Sequence, residues 1–109
     1  MNKYHNKKTV VDNITFDSCA EANHYCELKL RVKAGEIYEL KLQPRFLLQE
    51  SYKYKGKTIR KIEYVADFEY IENGQVVVED KKGMETQVFK IKWKLLLKKY
   101  PEIDFRIVK

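Results

Sequence analysis

The feature that most constrains the fold is the dipeptide Asn73-Gly74, which lies between two runs of β-branched and aromatic residues. Asn-Gly is the strongest short signal for a two-residue β-hairpin turn, because both positions tolerate a positive φ. With these residues at the turn, the register of the two strands is fixed, and Ile71 opposes Val76. The same register places Asp67 opposite Asp80, with Cβ atoms about 5 Å apart.

These opposed carboxylates repel each other, and like charges facing each other on adjacent strands destabilise a sheet. A divalent cation is the usual compensation for hard oxygen ligands. Alternation along the strand places Lys82 on the face of Asp80, whereas Glu79 and Lys81 point to the other face. Asp67, Asp80 and Lys82 thus supply carboxylates for Mg²⁺ or Mn²⁺ and an amine for metal-assisted phosphodiester hydrolysis. A solvated Asp–Lys ladder is the alternative interpretation.

The remaining signals predict the element order β-hairpin, α, several β, α, β. A short hairpin is expected over Thr9–Phe16, and longer strands over Ile37–Gln49, with a bend at Pro44, and over Thr58–Ile71. The last strand, helix and strand form a βαβ unit, whose two strands should be parallel. We therefore predict one α/β domain over residues 1–109, with a small mixed sheet flanked by helices.

Two helices are predicted from their end signals. Ser18–Ala34 begins with an S-x-x-E capping box, and Thr86–Tyr100 is ended by Pro101. In the second helix, the apolar stripe expected to face the core consists of Val88, Ile91 and Leu95, widened by Phe89, Trp93 and Leu96.

Charge is distributed unevenly along the chain. The 22 basic and 16 acidic residues give a net charge of +6, which favours a polyanionic partner such as DNA. Tyr52–Lys61 and Lys90–Lys99 each contain five basic residues and no acid, whereas Glu63–Asp80 contains six acids and no basic residue. The alternative for each segment is a solvated surface. The phosphate contacts predicted from these segments are Lys53, Lys55, Lys57, Arg60, Lys61, Lys90 and Lys94.

Several classes of protein are excluded by composition. No apolar run is longer than three residues, which excludes a transmembrane helix of about 20 residues. The first eight residues lack the apolar stretch of a secretion signal, so we expect a cytoplasmic protein that does not bind membranes. Two cysteines exclude a disulfide-dense scaffold.

Two stretches, Val65–Phe68 and Val77–Gly83, resemble the motif of the PD-(D/E)XK nuclease superfamily, in which a strand carrying Asp precedes a strand carrying (D/E)-x-K. Ala66 stands where that motif has Pro. The chain is most similar to small phage-encoded nucleases, including the phage endonuclease I type of Holliday-junction resolvase. Its tail, Tyr100–Val108, is similar to the segment that follows the motif in that resolvase. Glu79-x-Lys81 also satisfies the motif, but the hairpin register favours Asp80 and Lys82.

The resemblance implies a restriction-endonuclease-like αβββαβ core, here with an extra N-terminal hairpin. It implies a Mg²⁺-dependent DNA endonuclease of phage or prophage origin, selective for branched DNA or Holliday junctions, acting as a homodimer in the host cytoplasm. It also implies a third acidic metal ligand on the first helix, where Glu21 matches. Glu21 is equally the N3 residue of the capping box, so both roles stay open, and Glu27 is the fallback. The alternatives are a non-catalytic DNA-binding module of this fold and a nuclease for linear or single-stranded DNA.

Overall fold

The computed structural model describes residues 8–82 and 84–109 and divides into two compact units, Met1–Tyr38 and Glu39–Lys109. Residues 1–7, and Gly83 of the predicted motif, lie outside the described residues. The predicted mixed α/β class, with small sheets and two helices, is confirmed. The single domain over residues 1–109 stays a prediction.

The first unit contains a hairpin and a helix. Its elements are β1 (Thr9–Val11), β2 (Ile14–Phe16) and α1 (Cys19–Lys33). The hairpin turns at Asp12 and Asn13, whose φ angles of 53° and 63° lie in the left-handed region that Asn and Asp tolerate. The buried Tyr25 of α1 donates a hydrogen bond of 2.8 Å to Asp12 Oδ2, which ties the turn to the helix.

The predicted start of α1 is confirmed. Ser18 is the N-cap, and its Oγ accepts a hydrogen bond of 3.1 Å from the backbone N–H of Glu21. The bond satisfies one of the N–H groups that a helix start leaves without an intrahelical partner.

The second unit is built around a four-stranded sheet in the order β10-β9-β8-β3, and two further strand pairs, β4–β7 and β5–β6, accompany it. Strands β8 and β9 are antiparallel, while β9 and β10 are parallel and joined by helix α2, as predicted for the βαβ unit. The elements are β3 (Tyr38–Leu42), β4 (Arg45–Gln49), β5 (Tyr52–Tyr54), β6 (Lys57–Ile59), β7 (Ile62–Val65), β8 (Phe68–Glu72), β9 (Gln75–Lys81), α2 (Gln87–Lys99) and β10 (Asp104–Val108).

The hairpin register predicted from Asn73-Gly74 is confirmed. Ile71 faces Val76, and the ladder continues to the pair Phe68 and Glu79. The two turn residues have φ angles of 52° and 76°, as a two-residue hairpin requires. The ladder ends one residue pair before Asp67 and Asp80 would face each other.

Both long strands predicted from the sequence are interrupted, and the interruptions lie side by side. Gln43 donates its backbone N–H to the carbonyl of Asp67 at 3.0 Å, and Ala66 donates to the carbonyl of Pro44, also at 3.0 Å. Pro44 has no N–H for a ladder, and Gln43 has a φ of 51°, so the chain bends here. On one side of the bend β3 and β8 belong to the four-stranded sheet, and on the other β4 pairs with β7.

Helix α2 is capped by Thr86 and Tyr100, which are the bounds predicted for it, but its predicted core stripe is wrong. Val88, Ile91 and Leu95 are 63%, 60% and 47% exposed. The buried face is the one that widened the prediction, with Phe89 and Leu96 in the core and Trp93 packed against it. Aromatic side chains bury the largest apolar areas, and this face packs against Tyr64 of β7 and Phe105 of β10. No helix among the described residues is long and apolar enough to cross a membrane.

Candidate active site

Asp67 lies at the bend between β7 and β8, where the β8–β9 ladder ends. Its backbone N–H donates to the carbonyl of Glu79 at 3.2 Å. Its side chain Oδ2 accepts a hydrogen bond of 2.7 Å from the backbone N–H of Lys81. Asp67 is therefore hydrogen-bonded to β9 on both sides of Asp80, through its backbone N–H on one side and its carboxylate on the other.

Asp80 is the central residue of the candidate site, and only 3% of it is exposed. Its Oδ2 accepts a hydrogen bond from the Tyr64 hydroxyl and lies 3.5 Å from the Lys82 Nζ. Removing a carboxylate from water costs several kcal/mol, and pairing it with an amine returns that cost only in part. A buried aspartate is therefore poor evidence for a purely stabilising role.

Tyr64, on β7, is the residue of this site that the sequence analysis missed. Burial raises the pKa of the Tyr64 hydroxyl, and the hydrogen bond to Asp80 and the charges of Asp80 and Asp67 raise it further. The hydroxyl therefore stays protonated and acts as a donor. The sequence did contain a signal for this role. A buried tyrosine hydroxyl needs a hydrogen-bond partner, so a tyrosine in place of phenylalanine in a strand that faces the core indicates a polar group nearby.

Lys82 connects Asp80 to an open cleft. Its Nζ lies 4.9 Å from the centre of the Phe89 ring, and 29% of its side chain is exposed. Its backbone N–H donates to the carbonyl of Val108 at 2.9 Å, so the residue is anchored to β10. The cleft has a volume of about 300 Å³ and is lined by Glu63, Tyr64, Val65, Lys82, Thr86, Val88, Phe89 and Lys92. The amine thus lies between a buried carboxylate and solvent.

The second motif frame, Glu79-x-Lys81, has different surroundings. Glu79 is 5% exposed and accepts a hydrogen bond from the hydroxyl of Tyr70. The Lys81 Nζ donates to the backbone carbonyl of Lys109 at 2.6 Å. The structure therefore brings Asp80 and Lys82 together, while Lys81 is engaged with the chain end.

The chemistry of a cation site here rests on two carboxylates. Between residues 8–82 and 84–109, no group of three or more His, Cys, Asp or Glu side chains is arranged to hold a metal ion. Mg²⁺ is commonly bound through one or two carboxylates and keeps several waters, so a third acid is not required. An ionised carboxylate has about four acceptor sites, so one carboxylate can accept a hydrogen bond and bind a cation at the same time.

The two acids proposed on the first helix lie in the first unit. Glu21 donates its backbone N–H to the Ser18 cap, as the N3 residue of the predicted capping box does. Glu27, the fallback, has a 71% exposed side chain, 3.6 Å from the His24 Nδ1.

The basic residues predicted to contact DNA are exposed side chains of the second unit. Lys53 and Lys57 lie on the β5–β6 hairpin, with Lys55 in its turn, and Lys90 and Lys94 lie on α2. Arg60 and Lys61 follow β6, and the Lys61 Nζ is 3.5 Å from a Glu63 carboxylate oxygen. These groups are available to a polyanion without unfolding any element.

The chain was compared with protein families, curated proteins and solved structures. The sequence profile of the family described as Protein of unknown function (DUF1064) matches residues 1–109. No curated protein and no solved structure matches the chain.

Proposed function

The chain belongs to the DUF1064 family, and from the geometry of the site we propose that it is a Mg²⁺-dependent DNA endonuclease of the PD-(D/E)XK type. The observation that carries the proposal is the buried Asp80, which contacts Lys82 and lies beside Asp67, a residue hydrogen-bonded to both chain neighbours of Asp80. Two carboxylates held close together, one buried and one half-buried, repel each other, so a cation that both can bind gives the arrangement a reason.

The residues would divide the work as follows. Asp67 and Asp80 would hold Mg²⁺ or Mn²⁺, which when bound lowers the pKa of a water and stabilises negative charge on phosphate. Lys82 would orient the attacking water or stabilise the transition-state charge, because its Nζ lies between Asp80 and the cleft. Tyr64 fixes the position of the Asp80 carboxylate. Glu21, the further acidic ligand that the resemblance implies, stays a prediction.

The order of the elements supports a restriction-endonuclease-like core. Helix α1 is followed by β3, β8 and β9, which are neighbours in the four-stranded sheet, and then by α2 and β10. This is an αβββαβ order if the segment from β4 to β7 is an insertion and β1–β2 is an N-terminal addition. The insertion carries the basic hairpin, so it would serve DNA binding.

We further propose that the enzyme acts in the cytoplasm as a homodimer. Cleaving a four-way junction requires two cuts related by symmetry, which a dimer supplies. The test is the mass of the full chain in solution, where a species of 13.1 kDa would contradict the dimer.

The experiment that tests the function offers a four-way junction, a flap, single strands and linear duplex, each with Mg²⁺ and with EDTA. Mg²⁺-dependent cleavage that is lost in Asp80→Ala supports the nuclease, and the preferred substrate decides between junctions and linear or single-stranded DNA. Binding without cleavage of any substrate would favour the alternative, a DNA-binding module that keeps the fold.

A further inference from the structure

The β5–β6 hairpin is a ribbon that buries none of its strand residues. It is a separate two-stranded sheet, and every residue from Tyr52 to Ile59 is exposed. Its turn residues Lys55 and Gly56 have φ angles of 50° and 79°, which fits a two-residue hairpin turn. A two-stranded ribbon alone is marginally stable in water. Because its tyrosine and isoleucine side chains are exposed, packing in a core does not explain their presence.

The strand register divides these side chains between two faces. Tyr52 pairs with Ile59, Tyr54 pairs with Lys57, and Lys53 pairs with Thr58. Because side chains alternate along a strand, both tyrosines lie on one face together with Ile59 and Lys57. On the other face, the Lys53 Nζ donates to Thr58 Oγ1 at 2.7 Å.

The tyrosine face is open and cationic at its end. Tyr52 and Tyr54 are 49% and 59% exposed, and the Lys55 Nζ lies 5.5 Å from the centre of the Tyr54 ring. Two residues of an antiparallel strand span about 6.8 Å, so the two rings are separate positions along the strand, each open to a base.

We propose that Tyr52 and Tyr54 form a stacking platform for unpaired bases, while the lysines of the same hairpin contact the adjacent phosphates. The partner is nucleic acid because the segment Tyr52–Lys61 holds five basic residues and no acid. Unpaired bases are specified because a planar aromatic ring stacks on a base only where the base is not enclosed in a duplex. The inference deepens the proposed function, on which it rests, by naming single-stranded or branched regions as the preferred substrate.

The test compares binding of the full chain to a single-stranded oligonucleotide and to a blunt duplex in EDTA, so that cleavage plays no part. In the double variant Tyr52→Ala/Tyr54→Ala, affinity for the single strand should fall about 5- to 150-fold for each base that loses its ring. Affinity for duplex should change less than about twofold, and the dependence on salt should not change, because no charge is removed.

Two controls separate stacking from charge and from misfolding. Tyr52→Phe/Tyr54→Phe keeps both rings and should bind like the wild type. The triple variant Lys53→Ala/Lys55→Ala/Lys57→Ala should have lower affinity for both the single strand and the duplex. It should also flatten the slope of log affinity against log salt by roughly two to three units. Equal losses on both DNA forms in the tyrosine double variant, or no loss on the single strand, would overturn the platform. If the wild type still cleaves DNA, either result leaves the nuclease proposal intact.

Discussion

Two consecutive residues of β9, Glu79 and Asp80, point to opposite faces of the strand and invite comparison. Both are carboxylates, both are at most 5% exposed, and each accepts a hydrogen bond from a tyrosine hydroxyl, Tyr70 for Glu79 and Tyr64 for Asp80. They differ in the lysine two residues further along. The Lys81 Nζ bonds to the backbone of Lys109, whereas the Lys82 Nζ faces Asp80 and an open cleft.

The comparison shows that a buried carboxylate with a tyrosine partner does not by itself mark a functional site. On the Asp80 face the second carboxylate, Asp67, belongs to a residue that is hydrogen-bonded to the backbone of both Glu79 and Lys81, on either side of Asp80. This face also has an amine that reaches from the buried carboxylate to solvent. Two carboxylates held close together are suited to a cation site, and an amine that lines a cleft can reach a substrate. Substitutions at matched positions on the two faces therefore test the assignment.

The largest difference is expected between Asp80→Asn and Glu79→Gln. Asp80→Asn removes a proposed metal ligand and should reduce Mg²⁺-dependent cleavage by about 10⁴-fold, the upper end of the range for a single catalytic group. Glu79→Gln keeps the size of the side chain and should leave the cleavage rate of the folded protein nearly unchanged. Single-turnover rates at saturating Mg²⁺ measure both, and an inactive Glu79→Gln beside an active Asp80→Asn would reverse the motif frame.

The two lysines give the next largest contrast. Lys82→Ala should lower the cleavage rate by roughly 10²–10⁴-fold and leave DNA binding nearly intact, because one group that acts on the water or the developing charge is lost. Lys81→Ala should cleave at close to the wild-type rate. The same gel assay with both variants decides, and the reverse pattern would assign the chemistry to Glu79 and Lys81.

The part of this face that could be predicted from sequence is the part set by local signals. Asn73-Gly74 determines the β8–β9 register, and Ser18 and Thr86 cap the helices as their side chains require. Each of these features depends on residues within a few positions of one another. The position of Asp67, one step beyond the ladder, follows from the same register.

The missed features all depend on distant parts of the chain. The strand predicted over Thr58–Ile71 is broken because β7 pairs with β4 instead of continuing in the four-stranded sheet. The stripe led by Val88 is exposed because a neighbouring helix face packs on residues such as Phe105, which lies 6.0 Å from Trp93 between ring centres. Periodicity alone does not distinguish two adjacent apolar faces of one helix.

Metal binding gives a third contrast, which concerns the ligands directly. Asp67→Asn should weaken Mn²⁺ binding in calorimetry, and a Mn²⁺-soaked crystal should place Asp67 and Asp80 oxygens about 2.0–2.3 Å from the ion. Glu21→Gln is the matched test on α1, because glutamine keeps the capping function but removes the charge. Weaker Mn²⁺ binding in that variant would identify Glu21 as a ligand, and unchanged binding with unchanged helix content would leave it only the capping role.

The smallest effect is expected from removing a tyrosine hydroxyl on each face. Tyr64→Phe and Tyr70→Phe each leave a buried carboxylate without one donor, so each should lower the free energy of unfolding by about 1–3 kcal/mol in urea titrations.

Only Tyr64→Phe should also weaken Mg²⁺ binding, by about 10- to 100-fold, because partners that orient a metal ligand typically have effects of that size. The cleavage rate at saturating Mg²⁺ should recover, since the ligands themselves remain. If both phenylalanine variants lose stability and neither changes Mg²⁺ affinity, Tyr64 only stabilises the fold, as Tyr70 does. The two tyrosines would then not distinguish the Asp80 face from the Glu79 face.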